Sequence, residues 1–246
     1  MLPLINKKMF LNLQTNDIHI WTVPIDFIEK DISHYKFILS KDEIRRMESF
    51  KTYSLKNEYC FIRANLRKVL SFYLKEPPEQ LKFFYNDFGK PYLNNAIKFN
   101  LSHTNDIAVI AVTKEYELGI DIEFIDEHID ISEVIQVAFS MQEIDLMSGL
   151  KGKEKYNMFY RLWTRKEALL KGVGKGLSLS PQLIDASNCT KIFTGDNWEI
   201  LELNVKQGYK SSLAINCNRV PIKLIFLELD KDSPCLSMEN KCGVFY

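Results

Sequence analysis

Two carboxylates stand two residues apart in Gly119-Ile120-Asp121-Ile122-Glu123, where acidic and apolar residues alternate with the period of a β-strand. Residues i and i+2 of a strand share a face, roughly 6.6–7 Å apart. Asp121 and Glu123 therefore project together, while Ile120, Ile122 and Phe124 project to the other side. At that spacing the two charges repel by about 2–3 kcal/mol for an effective dielectric of about 20. Water offsets this on an exposed face. On an enclosed face a hard divalent cation does so, and Mg2+ is commonly held by one or two carboxylates together with phosphate oxygens and water.

A third acid lies in Trp163-Thr164-Arg165-Lys166-Glu167-Ala168-Leu169-Leu170-Lys171. At helical spacing, the face carrying Tyr156, Tyr160 and Trp163 continues to Glu167 and then to Leu170 and Lys171. A carboxylate on a buried stripe needs a partner. One reading is an i,i+4 pair between Glu167 and Lys171, worth about 0.2–0.5 kcal/mol on an exposed helix. The other makes Glu167 a third ligand of the same metal or a general base, with Lys171 neutralising an anionic substrate. A further cluster, Phe99-Asn100-Leu101-Ser102-His103, ends a strand; it reads as surface residues or as hydrogen-bond donors to phosphate. It is no hydrolase elbow, because G-x-S-x-G is absent. Gly172-x-Gly174-x-Gly176 follows a helix rather than preceding one, so it reads as a C-cap and turn, not a dinucleotide fingerprint.

The elements that must position these groups follow from periodicity. Strands are expected at Ile18 to Val23, Leu81 to Tyr85, Ile97 to Leu101, Ile107 to Thr113 and Leu118 to Ile125, and near Trp198 to Val205, Ser212 to Cys217 and Ile222 to Leu229. Ser40/Glu43, Asp130/Glu133 and Ser140/Glu143 have capping-box spacing and should each open a helix. Longer helices are expected over about 56–73, where Tyr59, Ile62, Leu66, Val69 and Tyr73 share a face, and over about 154–171. Each half thus holds a long helix and three or four strands, an α+β chain of two lobes without a residue-level repeat. The division falls at 1–113 for the first lobe, 114–230 for the second, and 231–246 for a polar tail.

Lys plus Arg and Asp plus Glu are both 32 of 246 residues, so the formal charge is zero, which argues against a general nucleic-acid binder. Hydrophobic residues at 46% and charged residues at 26% describe a globular chain. No apolar run is long enough for a membrane span, and the N-terminal residues lack the apolar core of a secretory signal. Five scattered cysteines without C-x-x-C fit a reducing, cytoplasmic setting.

In order along the chain, FNLSH, GIDIE and WTRKEALLKGVGKGLSL resemble the motif blocks of the 4′-phosphopantetheinyl transferase superfamily in its long, Sfp-like form, over about residues 40–180. The resemblance implies transfer of 4′-phosphopantetheine from coenzyme A to a serine of an apo acyl or peptidyl carrier protein, with release of adenosine 3′,5′-bisphosphate. It implies an internal pseudodimer of two similar lobes, each a small mainly antiparallel sheet on a long helix, active as a monomer with coenzyme A in the cleft between them. By the same resemblance Asp121, Glu123 and Glu167 hold Mg2+ or Mn2+, Glu167 is the base, directly or through water, and Lys171 contacts the transferring phosphate. Lys90 and Ser102-His103 align with groups around the nucleotide 3′-phosphate. The chain departs from the family at Glu58, where an arginine commonly grips that phosphate; Arg63 and Arg46 are the candidates to replace it. Two other classes are weighed. A metal-dependent nuclease would carry lysine where this chain has Ile125. An inactive carrier-binding module would not need all three acids and Lys171.

Overall fold

The computed structural model of the chain describes residues 11–25, 32–94, 97–188, 190–193, 196–217, 221–229, 236–237 and 243–245. Its first sheet begins with β1 (Asp17–Pro24), whose alternation buries Ile18 and Ile20 on one side and Trp21 and Val23 on the other. Three helices follow: α1 (Ser33–Lys36), α2 (Lys41–Glu48) and α3 (Tyr53–Leu74). The box at Ser40 forms as its spacing predicts, with Glu43 N–H donating to Ser40 Oγ and Ser40 N–H to the Glu43 carboxylate. A hairpin of β2 (Phe83–Tyr85) and β3 (Pro91–Leu93) leads into β4 (Lys98–Thr104) and β5 (Ile107–Thr113). In this sheet β5 lies between β1 and β4, antiparallel to both.

The second half has a similar order of elements, with three strands after its helices where the first half has four. It runs β6 (Leu118–Phe124), α4 (Ser132–Ala138), α5 (Met141–Met147), α6 (Gly152–Val173), β7 (Thr190–Phe193), β8 (Asp196–Leu203) and β9 (Tyr209–Asn216). Here β9 lies between β6 and β8, antiparallel to both. The box at Ser140 also forms. The one expected at Asp130 does not: Ile131 takes the N-cap place without a side-chain bond, and Asp130 accepts the Ser132 N–H in a local turn.

A residue-level repeat, contrary to the sequence expectation, accompanies this order. S-x-x-E-I-x-x-M occupies residues 40–47 and again 140–147. In both copies the serine caps the helix, and the glutamate and methionine are buried. Each glutamate is clamped by cations of the following 22-residue helix. Glu43 meets Arg63 at 2.8 Å and Arg67 at 2.7 Å, and Glu143 meets Lys166 at 2.6 Å.

The two sheets face each other. Ile18, Ile20, Val109 and Ala111 of the first pack on Leu118, Ile120, Ile122, Leu213 and Ile215 of the second. The outer face of the first sheet is covered by Ile62, Leu66, Val69 and Leu70 of α3, and that of the second by Ala168 and Leu169 of α6. The fold is thus mixed α+β with small sheets. The strand β10 (Ile222–Leu229), which the sequence division assigns to the second lobe, lies in the first sheet, parallel to β1. Of the expected loose tail, β11 (Leu236–Ser237) and β12 (Gly243–Phe245) pair antiparallel with β10, and the rest lies outside the described residues. Among the described residues no helix is long and apolar enough to cross a membrane. Cys60 and Cys217 are buried, and the other three cysteines lie outside the described residues.

Candidate active site

The site gathers where the edge of the first sheet meets the edge of the second, beneath α6. Asn100 on β4 accepts the Ile120 N–H at 3.0 Å, which fixes β4 beside β6. Gly119 lets α6 approach: a Cβ there would lie 2.1 Å from Ala168 O and 2.2 Å from Gly172 N. The register that puts Ile120 and Ile122 into the inter-sheet core turns Asp121 and Glu123 the other way, as the strand period predicts.

Asp121 is buried, and its Oδ1 accepts from Ser102 Oγ at 2.8 Å and from Lys171 Nζ at 2.6 Å. Lys171 also donates to Ser102 Oγ at 2.8 Å. A helix lysine, a strand serine from the first half and a strand aspartate from the second therefore close one triangle. Asp121 Oδ2 is enclosed and has no hydrogen-bond partner among the described residues.

The other two acids feel Asp121 electrostatically. Burial and the Asp121 charge push the Glu123 carboxyl up to about 7, against hydrogen bonds from Trp163 and Thr104 and the attraction of Lys171. Burial and Asp121 also raise Glu167, with Lys171 opposing. The i,i+4 reading of Glu167 and Lys171 gives way to a longer-range choice: the Lys171 ammonium is bound to Asp121. His103, beside Ser102, pairs through Nδ1 with Glu58 at 3.3 Å. Burial holds its pKa below the usual value, with Glu58 pulling up and Lys171 pushing down.

The three basic residues expected at the nucleotide have partners within the chain. Arg63 is engaged by Glu43 and by the Tyr85 hydroxyl at 3.2 Å, with its guanidinium over the Phe83 ring. Arg46 is exposed and lies over the Phe50 ring. Lys90 donates to the backbone carbonyls of Gly172 at 2.7 Å and Leu118 at 3.2 Å. It helps to line a cavity of about 600 Å3 with Tyr92, Phe99, Gly172 and Trp198, whose walls do not include Asp121, Glu123, Glu167 or Lys171.

Sequence reasoning missed the cations that hold α6 in place. Lys166 is fully buried on Glu143 and also donates to Pro181 O at 2.9 Å. Arg165 donates to Ala186 O at 3.0 Å and Ser187 O at 3.1 Å and pairs with Glu202. The recurring S-x-x-E signal marked Glu143, and its buried place called for such a partner.

Among the described residues no three His, Cys, Asp or Glu side chains form a finished metal cage. The donor set nevertheless suits a hard divalent cation. It comprises three carboxylates, two of them raised by burial and by the Asp121 charge, and an Asp121 Oδ2 that has no hydrogen-bond partner among the described residues. Lys171 supplies the positive charge on Asp121 in their midst.

Comparison with known proteins identifies the family. The family model for the 4′-phosphopantetheinyl transferase superfamily matches residues 117–211, which include β6 and α6. The chain is 32% identical over 217 residues to the 4′-phosphopantetheinyl transferase HetI of Nostoc sp., covering 85% of this chain and 92% of that one. It is 31% identical to the 4′-phosphopantetheinyl transferase gsp of Aneurinibacillus migulanus, over 75% of this chain and 80% of the relative. With AcpT of Escherichia coli K12, also named a 4′-phosphopantetheinyl transferase, it shares 30% over 61% and 65%. A match spanning nearly the whole of one such enzyme, with Asp121, Glu123, Glu167 and Lys171 all inside the segment that the family model covers, shows that this chain belongs to the 4′-phosphopantetheinyl transferase superfamily.

Proposed function

We propose that the chain moves the 4′-phosphopantetheine arm of coenzyme A to a serine of an apo acyl or peptidyl carrier protein in a Mg2+-dependent reaction. The observation that carries this is the Lys171 ammonium shared between Asp121 and Ser102, with Glu123 and Glu167 both raised beside it. An array of acids around one lysine suits a diphosphate only if charge is neutralised and the groups are aligned, which is what phosphoryl transfer asks of a protein.

In this reading Lys171 meets the transferring phosphate, and Ser102 and His103 offer hydrogen bonds to the nucleotide's phosphates. The acceptor serine oxygen bonds to the β-phosphorus of coenzyme A, and the bond from that phosphorus to the bridging oxygen breaks. Adenosine 3′,5′-bisphosphate leaves with the bond's electrons. Glu167 takes the serine proton, a task suited to a carboxylate held above its usual range. Asp121, Glu123 and Glu167 are the residues that would hold Mg2+ or Mn2+, which when bound offsets the charge of the diphosphate. The similar order of elements and the two S-x-x-E-I-x-x-M segments support an internal duplication, with the site in the cleft between two lobes. In this reading the chain acts as a monomer in the cytoplasm.

The test is incubation of the chain with coenzyme A, Mg2+ and a panel of apo carrier proteins, read by mass spectrometry. Wild type should add one phosphopantetheine to at least one carrier. Asp121→Asn should abolish the addition while leaving the circular dichroism spectrum unchanged. Undiminished transfer by Asp121→Asn at saturating Mg2+ would refute the assignment.

A further inference from the structure

The turn at 86–90 closes on the last turn of α6. Lys90 Nζ donates to Gly172 O at 2.7 Å, and Asn86 Nδ2 donates to Gly174 O at 2.7 Å. The turn is braced from within: Asn86 Oδ1 accepts the Phe88 N–H at 3.0 Å and the Lys90 N–H at 2.8 Å, and Asn86 N–H donates to Lys90 O at 3.1 Å. The final carbonyls of a helix have no partner within it and carry the negative end of its dipole. An ammonium and an amide from the first half of the chain satisfy them here. The fit is close, since a Cβ on Gly174 would lie 2.8 Å from Lys90 Cδ.

Lys90 ties together the same two elements whose side chains form the site. Gly172 follows Lys171 directly, and Leu118 precedes Asp121 by one strand repeat plus a residue. The ammonium that bridges Gly172 O and Leu118 O therefore sets the backbone spacing behind the 2.6 Å contact of Lys171 with Asp121. It has little left for a ligand: two of its three protons point to carbonyls, and Glu117 Oε2 lies 3.8 Å away.

We propose that Lys90, with Asn86, is a positioning residue that clamps the end of α6 onto β6 and thereby places Lys171, rather than a ligand of the nucleotide 3′-phosphate. This rests on the proposed transfer reaction. It replaces the role that family resemblance suggests for Lys90.

The experiment compares Lys90→Met and Asn86→Ala with wild type, using coenzyme A and dephospho-coenzyme A as donors, alongside amide hydrogen exchange of residues 170–174 in the ligand-free protein. Lys90→Met should lower kcat by roughly 10²-fold, the scale of a displacement of about 1 Å at a reacting centre. It should change KM for the two donors by the same factor and speed exchange at the α6 end. Asn86→Ala removes no charge and should move kcat and exchange in the same direction by less; it carries the test if Lys90→Met does not fold. A loss confined to coenzyme A, or unchanged exchange at the α6 end in both variants, overturns the proposal. A wild-type chain that transfers nothing overturns the functional reading instead, and the exchange measurement still decides whether the clamp exists.

Discussion

Lys171 is where the site's electrostatics are settled. Spacing alone invites it to pair with Glu167 one turn earlier, yet its ammonium goes to a buried aspartate on a strand that no helical periodicity could point to. The two acids left without that cation hold their protons more tightly, and this has a measurable sign. Glu123 is raised from 4.5 to about 7 on folding, so between those values this carboxyl binds more protons in the folded chain than in the unfolded one, and its contribution to stability is lost as pH rises through that window. Burial lowers His19 from 6.5 to about 4, which gives the opposite slope over the overlapping range. In chelator-treated protein the Tm of wild type should therefore fall relative to that of Glu123→Gln from about pH 5 to about pH 8. An identical slope in wild type and Glu123→Gln would remove Glu123 as the cause. The acids and Lys171 were legible as chemistry from the sequence because strand and helix periods put them on defined faces. The placements of Arg63 and Lys90 were not, because each depends on a partner distant in sequence: Glu43 for one, the carbonyls of Gly172 and Leu118 for the other.

Elements place these residues through two kinds of contact, backbone proximity and buried ion pairs. The first is tested at Gly119, where a methyl group would collide with Ala168 O and Gly172 N. Gly119→Ala should destabilise the chain by about 1–3 kcal/mol. It should also depress transfer at temperatures where the protein is fully folded, because β6 and α6 separate where Asp121 meets Lys171. Retained kcat in a folded Gly119→Ala would show that this spacing is unimportant. The second is tested at Glu143, whose loss strands the Lys166 ammonium in the interior. Glu143→Ala should cost about 3–5 kcal/mol in urea denaturation, while Glu143→Leu combined with Lys166→Met should recover much of it. Helices α3 and α6 were readable from their apolar stripes, and α2 and α5 from their serine caps. The duplicate motif escaped notice because only four of its eight positions are identical, and only burial shows what they share. Asp130 reads like a cap but serves a turn, since Asx side chains compete for nearby N–H groups in both settings.

At the level of the molecule, strand pairing crosses the division that the order of expected elements suggests. β10 lies parallel to β1, and Leu227 and Leu229 contribute to the core beneath α3. A parallel partner some two hundred residues away leaves no local trace, so the alternation in 222–229 identifies a strand but not its sheet. Residues 1–113 alone should therefore give no cooperative melt, for want of β10 on one side of β1 and of the second sheet across the inter-sheet core. Mixing them with residues 114–246 during refolding should restore the transition in circular dichroism. A sharp melt of the first fragment by itself would contradict this. The same pairing bears on how the chain is made. Domains generally form as units while the ribosome is still at work, but here the opening sheet waits for a strand at 222–229. Its edge beside β1 stays open until residues 222–229 have been made, so the nascent chain depends on protection from aggregation over that stretch of synthesis.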